Sequence, residues 1–255
     1  MLSRNFRLQA VGTIDWLFSN YDLATVSRGL DEIMVLDVSR GARNPDMFAE
    51  SVGRIAGQCF IPITVGGGIT SFDIAQLYLR SGADKLLINS SFANDPALCR
   101  SLADHFGRQC IVAGIDYRIS PHSAREVAVD GGSRDLSLNL KTWVRQVQAN
   151  GAGELLLQSM DQDGTGMGPD LAVLDALGFT PDLPIILMGG VGKGEHIIAA
   201  LKDRRVDAIA TANLFNFIGS SFLDVREAVN DEGIEVARWD ENTYDLLRGK
   251  FAAHV

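Results

Sequence analysis

The sequence predicts an α/β protein of the (β/α)8 TIM-barrel class with an internal two-fold half-barrel repeat, and three observations lead to that class. Apolar runs recur every few tens of residues, with helix-spaced segments between them. The runs are continuous rather than alternating, which marks strands of a parallel sheet covered by helices. One pattern also occurs twice. Pro62-Ile63-Thr64-Val65-Gly66-Gly67-Gly68-Ile69, then Ala83-Asp84-Lys85-Leu86-Leu87-Ile88-Asn89-Ser90-Ser91-Phe92, is echoed by Pro184-Ile185-Ile186-Leu187-Met188-Gly189-Gly190-Val191, then Val206-Asp207-Ala208-Ile209-Ala210-Thr211-Ala212-Asn213-Leu214-Phe215. Repeated βα units of this length close into a barrel.

Taken in order, the strands are predicted at 33–38, 61–65, 85–89, 110–115, 154–158, 184–188 and 208–211. Helical spacing places helices at 46–56, 71–80, 96–105, 140–149, 172–177 and 195–202. An eighth strand has to come from the N-terminal residues, where Phe6-Arg7-Leu8-Gln9-Ala10-Val11 is the one candidate, so the first strand is expected to be atypical or truncated. Residues 121–139, rich in Ser, Gly, Arg and Asp, are expected as a long surface loop at the active-site end, with a short hairpin as an option within it. The amphipathic Tyr244-Asp245-Leu246-Leu247-Arg248-Gly249-Lys250-Phe251 predicts a helical extension over 238–255 packed on the barrel. With 255 residues and 46% hydrophobic content, the chain reads as one domain, 1–255, with a substantial core.

A net charge of −9 with no basic cluster argues against nucleic acid or an anionic membrane as the main partner. Cys59, Cys99 and Cys110 are odd in number and set beside apolar residues, as reduced core thiols of a cytoplasmic protein would be. His105, His122, His196 and His254 show no metal-ligand spacing, so neither a metal nor another cofactor is expected. No run approaches the roughly 18 apolar residues of a membrane span, and no signal-peptide core opens the chain, so a soluble, intracellular protein is expected.

Glycines that follow a strand and precede a helix let backbone N–H groups approach an anion closely. The first copy offers Gly67 and Gly68 with Asn89 and Ser90; the second offers Gly189 and Gly190 with Ala212 and Asn213. Gly164 and Thr165, in the loop after the strand at 154–158, join the candidate substrate contacts. Two copies point to a substrate phosphorylated at both ends, although a glycine run after a strand is also an ordinary tight turn. Lys193 is either a phosphate ligand or an exposed loop lysine. Barrel chemistry projects from the C-terminal ends of strands, and Asp37, Asp116, Asp161 and Asp163 stand at such ends. Asp116 and Asp163 are the strongest pair for general acid and general base. The alternative for each aspartate is a helix cap or a loop brace.

Val65-Gly66-Gly67-Gly68-Ile69, Ala83-Asp84-Lys85 with Ile88-Asn89, Gly114-Ile115-Asp116, Gly151-Ala152-Gly153-Glu154, Asp161-Gln162-Asp163-Gly164-Thr165 and Gly189-Gly190-Val191-Gly192-Lys193 together resemble the HisF family, the cyclase subunits of imidazole glycerol phosphate synthase. The likeness covers about 30–236. It implies a barrel that takes ammonia from a HisH-like glutaminase subunit docked on the strand-start face and uses it on a phosphorylated substrate at the opposite face. The family's entrance is ringed by charge; Glu32, Lys85 and Glu154 match it, with Asp84 near the partner surface. A purely structural ion-pair ring would read the same way. The family's second catalytic aspartate, on its first strand, has no counterpart here. Residues 1–14 contain no acid, and Asp15 lies too far along to stand in for it. Aligning Asn5-Phe6 with the loop after that strand puts the strand before Met1, so either the chain starts late or 6–11 substitutes without the acid. HisF-like paralogues lacking that aspartate work with a glutaminase to amidate surface-polysaccharide sugars, and its absence favours that reading over the histidine-pathway cyclase. A non-catalytic ammonia conduit or scaffold is the reading from a different class.

Overall fold

The computed structural model describes residues 2–212, 221–236 and 245. A hairpin, β1 (Leu2–Arg4) and β2 (Arg7–Gln9), leads through α1 (Ile14–Asn20) and α2 (Leu23–Val26) to the first βα units: β3 (Ile33–Leu36), α3 (Pro45–Ala56), β4 (Ile63–Gly66), α4 (Phe72–Arg80) and β5 (Lys85–Ile88). Two helices, α5 (Ser90–Asn94) and α6 (Pro96–Phe106), precede the long β6 (Ile111–Ile119), and β7 (Arg125–Val129) and β8 (Arg134–Asn139) follow it. The remainder is α7 (Leu140–Ala149), β9 (Glu154–Ser159), α8 (Ala172–Leu177), β10 (Ile185–Met188), α9 (Gly194–Leu201), β11 (Ala208–Ala210) and α10 (Ser221–Asp231).

Among the described residues five helices start where a side-chain oxygen caps the third amide: Thr13 accepts from Trp16, Asn44 from Met47, Ser71 from Ile74, Asp95 from Leu98 and Asn139 from Thr142. Pro45 and Pro96 stand at first helical positions, where the missing N–H removes no helical bond. The seven strands read from the apolar runs pair in parallel in the order β3-β4-β5-β6-β9-β10-β11, the succession of a (β/α)8 barrel. Successive side chains serve opposite faces. Ile111, Ala113, Leu155, Leu157, Ile185 and Leu187 pack with the helices in the main core. Val112, Leu156 and Ile186 form a second apolar cluster with Met34, Leu87 and Met188.

The sheet repeats at its strand starts. The Asp84 carboxylate accepts from the amide of Ile63 at 2.8 Å, and the Asp207 carboxylate from that of Ile185 at 2.8 Å. The returning amides of Asp84 and Asp207 bond to the carbonyls of the same isoleucines. Among the described residues β3 and β11 are the sheet edges, and both are half-buried along their length whereas β4 is buried throughout.

Two expectations are corrected. Residues 6–11 do not supply a barrel strand: Arg7–Gln9 pairs antiparallel with Leu2–Arg4 and is exposed at every position. A barrel strand is covered on both faces, and the polar Arg7 and Gln9 do not meet that demand. Asn5 and Phe6, with φ of 50° and 59°, instead form a two-residue turn that reverses the chain. Residues 121–139 do carry a hairpin, β7–β8, but it joins the sheet instead of lying in a surface loop. β7 pairs antiparallel with the end of β6 and with β8, and Val127, Ala128 and Val129 are buried. The helix expected over 238–255 lies outside the described residues apart from residue 245. No described helix is long and apolar enough to cross a membrane.

Candidate active site

Asp116 leaves the sheet where β6 continues past its parallel neighbours, between Ala128 of β7 and Gln158 of β9. Its side chain is buried and accepts from the Asn89 amide nitrogen at 3.0 Å. Burial pushes its pKa up to about 7; the Asp163 charge adds to the rise, while the Asn89 bond and Arg118 oppose it. A carboxyl in that range exchanges protons near neutral pH.

Asp163, also buried, sits in the loop after β9 beneath the N-terminal hairpin. Its Oδ2 accepts from the Ser3 hydroxyl at 2.5 Å and the Phe6 amide at 2.9 Å, and its carbonyl accepts from the Asn5 amide at 2.9 Å. A phenylalanine at positive φ is strained, on the order of 1 kcal/mol. The same turn directs two successive amides at Asp163, and Arg40 holds the Phe6 carbonyl at 2.6 Å. The other two strand-end aspartates are occupied with local structure: Asp161 accepts from the Ile119 amide at 2.6 Å, and Asp37 from the Ser39 amide at 2.9 Å.

Both glycine turns use backbone that side chains avoid. Gly67 and Gly189 have φ of 104° and 105°, and Gly68 and Gly190 have 67° and 85°. A Cβ on Gly67 would fall 2.2 Å from the Asp37 carbonyl oxygen, and one on Gly189 2.7 Å from that of Ser159. Gly67 and Gly68 leave β4 beside the end of β5, which carries Asn89 and Ser90. The Ser90 hydroxyl oxygen accepts from the Asp130 amide at 2.9 Å, and Asn89 keeps a buried Oδ1 with no partner among the described residues. In the second copy Gly164, φ 68°, lies against the hairpin, and the Thr165 hydroxyl donates to the Gln162 carbonyl at 2.8 Å. Ala212 is exposed beyond β11, and Asn213 lies outside the described residues. Lys193 is exposed and stands 3.9 Å from Glu195.

At the strand-start end one lysine serves two carboxylates. Lys85 Nζ lies 2.8 Å from Glu32 Oε2 and 2.8 Å from Glu154 Oε1, and the Thr64 hydroxyl donates to Glu32. Burial alone pulls the Lys85 pKa down; the bonds and charges of Glu154 and Glu32 together outweigh it and raise it. Asp84, at the same end, is exposed.

Three features of the mouth escape sequence reading. The hairpin donors Ser3 and Phe6 are far from Asp163 in sequence. Arg125 and Asp170 form a two-bonded ion pair, 3.0 and 2.7 Å, tying β7 to the loop after β9. The flanking Tyr117 is buried, and desolvation with the Asp170 charge raises its pKa. Arg43 lies over Gly68. The only local signal was the presence of arginines at 40, 43, 118, 125 and 134 in an otherwise acidic chain, and their partners are set by the fold.

The profile of the family described as Histidine biosynthesis protein matches residues 20–219. The chain belongs to this family. Within it the relatives carry HisF names. The chain is 36% identical over 239 residues to a Parasynechococcus marenigrum (strain WH8102) protein provisionally named imidazole glycerol phosphate synthase subunit hisF2, covering 93% of this chain and 88% of the relative. It is 39% identical to the imidazole glycerol phosphate synthase subunit HisF of Streptococcus mutans serotype c (strain ATCC 700610 / UA159), over 82% of this chain and 83% of that one. It is 38% identical to the subunit of the same name from Nostoc sp. (strain PCC 7120 / SAG 25.82 / UTEX 2576), over 82% of both. This is therefore a HisF-like member of the histidine biosynthesis protein family.

Proposed function

We propose that the chain is the cyclase-type subunit of an imidazole glycerol phosphate synthase, using ammonia from a glutaminase subunit on a substrate phosphorylated at both ends. The observation that carries the reading is the pair of buried carboxylates, Asp116 and Asp163, at neighbouring strand ends and within each other's field. The HisF names of the relatives supply the reaction. In this reading the glycine turns hold the two phosphates, Gly67 and Gly68 with Asn89 and Ser90 on one side, Gly189, Gly190, Gly164, Thr165, Ala212 and Asn213 on the other. Asp116 and Asp163 exchange protons with the group between them. Glu32, Lys85 and Glu154 form the ammonia entrance at the strand starts, with Asp84 on the partner-facing rim.

A second reading, amidation of a surface-polysaccharide sugar, is supported by one observation. Residues 2–14 contain no carboxylate, and no described strand lies between β3 and β11 to present one to Asp116.

The test is turnover of the histidine-pathway bisphosphate intermediate by the purified chain with ammonium, beside Asp116→Asn and Asp163→Asn. The cyclase reading expects turnover that drops about a hundredfold or more in either variant. A folded protein that binds the bisphosphate without turning it over overturns that reading and leaves the amidation paralogue or a conduit. Loss confined to assays in which glutamine is the nitrogen source identifies a conduit.

A further inference from the structure

The two glycine turns share a backbone and differ in what covers them. A Cβ on Gly190 would fall 2.1 Å from the Gly168 carbonyl oxygen and 3.0 Å from the Cβ of Gln162, so uncharged neighbours close over the second turn. A Cβ on Gly68 would fall 2.6 Å from Cδ of Arg43, 3.3 Å from its Nε and 3.8 Å from its Cζ. An arginine therefore lies across the first turn. It comes from the loop between β3 and α3. Its Nε is 3.3 Å from the Asp37 carboxylate, and its side chain is 39% exposed. Among the described residues its terminal nitrogens make no hydrogen bond. Nearby arginines are engaged differently: Arg118 with Asp135, Arg125 with Asp170, Arg134 with Asp130, and Arg40 with the carbonyls of Phe6 and Gly131.

We propose that Arg43 is the cationic clamp of the first phosphate subsite, its two terminal guanidinium nitrogens taking two oxygens of a phosphoryl group seated on the Gly67–Gly68 turn. The planar fork of arginine suits two-point contact with phosphate. The inference rests on the phosphate reading of the glycine turns and deepens it: the first end of the substrate is held by a charge, the second by backbone and uncharged neighbours. The guanidinium, although ion-paired with Asp37 through Nε, still brings donors and positive charge to a turn in a chain of net charge −9.

Titration with inorganic phosphate, followed through the backbone amide resonances of Gly67 and Gly68 and of Gly189 and Gly190, tests the clamp in the wild type, Arg43→Gln and Arg43→Lys. The expected result is a first-turn Kd about tenfold weaker in Arg43→Gln, intermediate in Arg43→Lys, with the second turn unchanged in both as the internal control. Added salt weakens the first turn more than the second. Equal first-turn affinity in the wild type and Arg43→Gln overturns the clamp while the phosphate reading stands. So does a wild type whose second turn alone responds. If neither turn responds in the wild type, the phosphate reading falls and the clamp with it.

Discussion

Ile33 and Leu155 occupy equivalent places in the two halves of the sheet, since each pairs with the first residue of the next strand, Ile63 or Ile185. The residue before each is a glutamate, Glu32 or Glu154. One strand further on, Asp84 and Asp207 make the same bond at the same 2.8 Å, and beyond them Gly67 and Gly189 differ by one degree in φ. The charges do not repeat. Lys85 is matched by Ala208, Thr64 by Ile186, and the arginine over Gly68 by a backbone carbonyl over Gly190. Asp116 belongs to the first strand of the second half, whose counterpart is absent from the described sheet. A backbone conformation is enforced by local sterics and survives in both copies. A buried charge has to be balanced once for the whole molecule, so each half carries a different share.

The largest expected effect comes from the carboxylate without a counterpart. The Asp116 pKa is raised in the fold to about 7, so the unfolded chain releases its proton at lower pH than the folded one. Its contribution to stability is therefore greatest below the unfolded pKa and is lost as pH rises through about 7. Asp116→Asn removes the titration. The variant is expected to gain on the wild type between pH 4 and pH 8 by on the order of 3 kcal/mol in urea unfolding, and a pH-independent difference would refute the burial account. Next are the two glycines. Gly67→Ala is expected to cost about 3 kcal/mol and Gly189→Ala about 2 kcal/mol, because the first Cβ would press harder on a carbonyl. Equal costs would show that the turns relax alike. The smallest effect is at the strand starts. Lys85→Met leaves two partly exposed glutamates facing each other and is expected to cost about 2 kcal/mol, whereas Ala208→Ser at the matching position stays within about 0.5 kcal/mol. Pairing Lys85→Met with Glu32→Gln should recover part of the loss; no recovery would mean that the lysine acts through packing alone.

The strands were legible because continuous apolar runs report coverage on both faces, and α7 and α8 matched their spacing from end to end. The repeat and the placement of Asp116 followed from the same runs. Residues 121–139 were obscured because Val127 and Val129 lie among Arg, Asp, Ser and Gly, and what buries them is an extension of β6 that no local pattern announces. The bonds from Ser3 and Phe6 to Asp163 span 160 and 157 residues, and that from Arg125 to Asp170 spans 45. Contacts of that range are written in the fold rather than in any window of sequence. Arg43 was missed for a related reason. Its loop is exposed and polar, and only the missing side chain of Gly68 reveals what lies above it.

The aspartate bond at each strand start also measures a length. It holds the first residue of a four-residue strand, and the glycine turn begins where that strand ends, about 10 Å away at ordinary strand rise. A slip by one residue would turn Val65 or Leu187 to the opposite face and draw a glycine turn off the strand ends, and it would have to break the aspartate bond as well as the ladder. Each strand is therefore a ruler with its zero at the face opposite the chemistry. A tug at Asp84 or Asp207 would arrive at Gly67 or Gly189 as a displacement of the glycine turn.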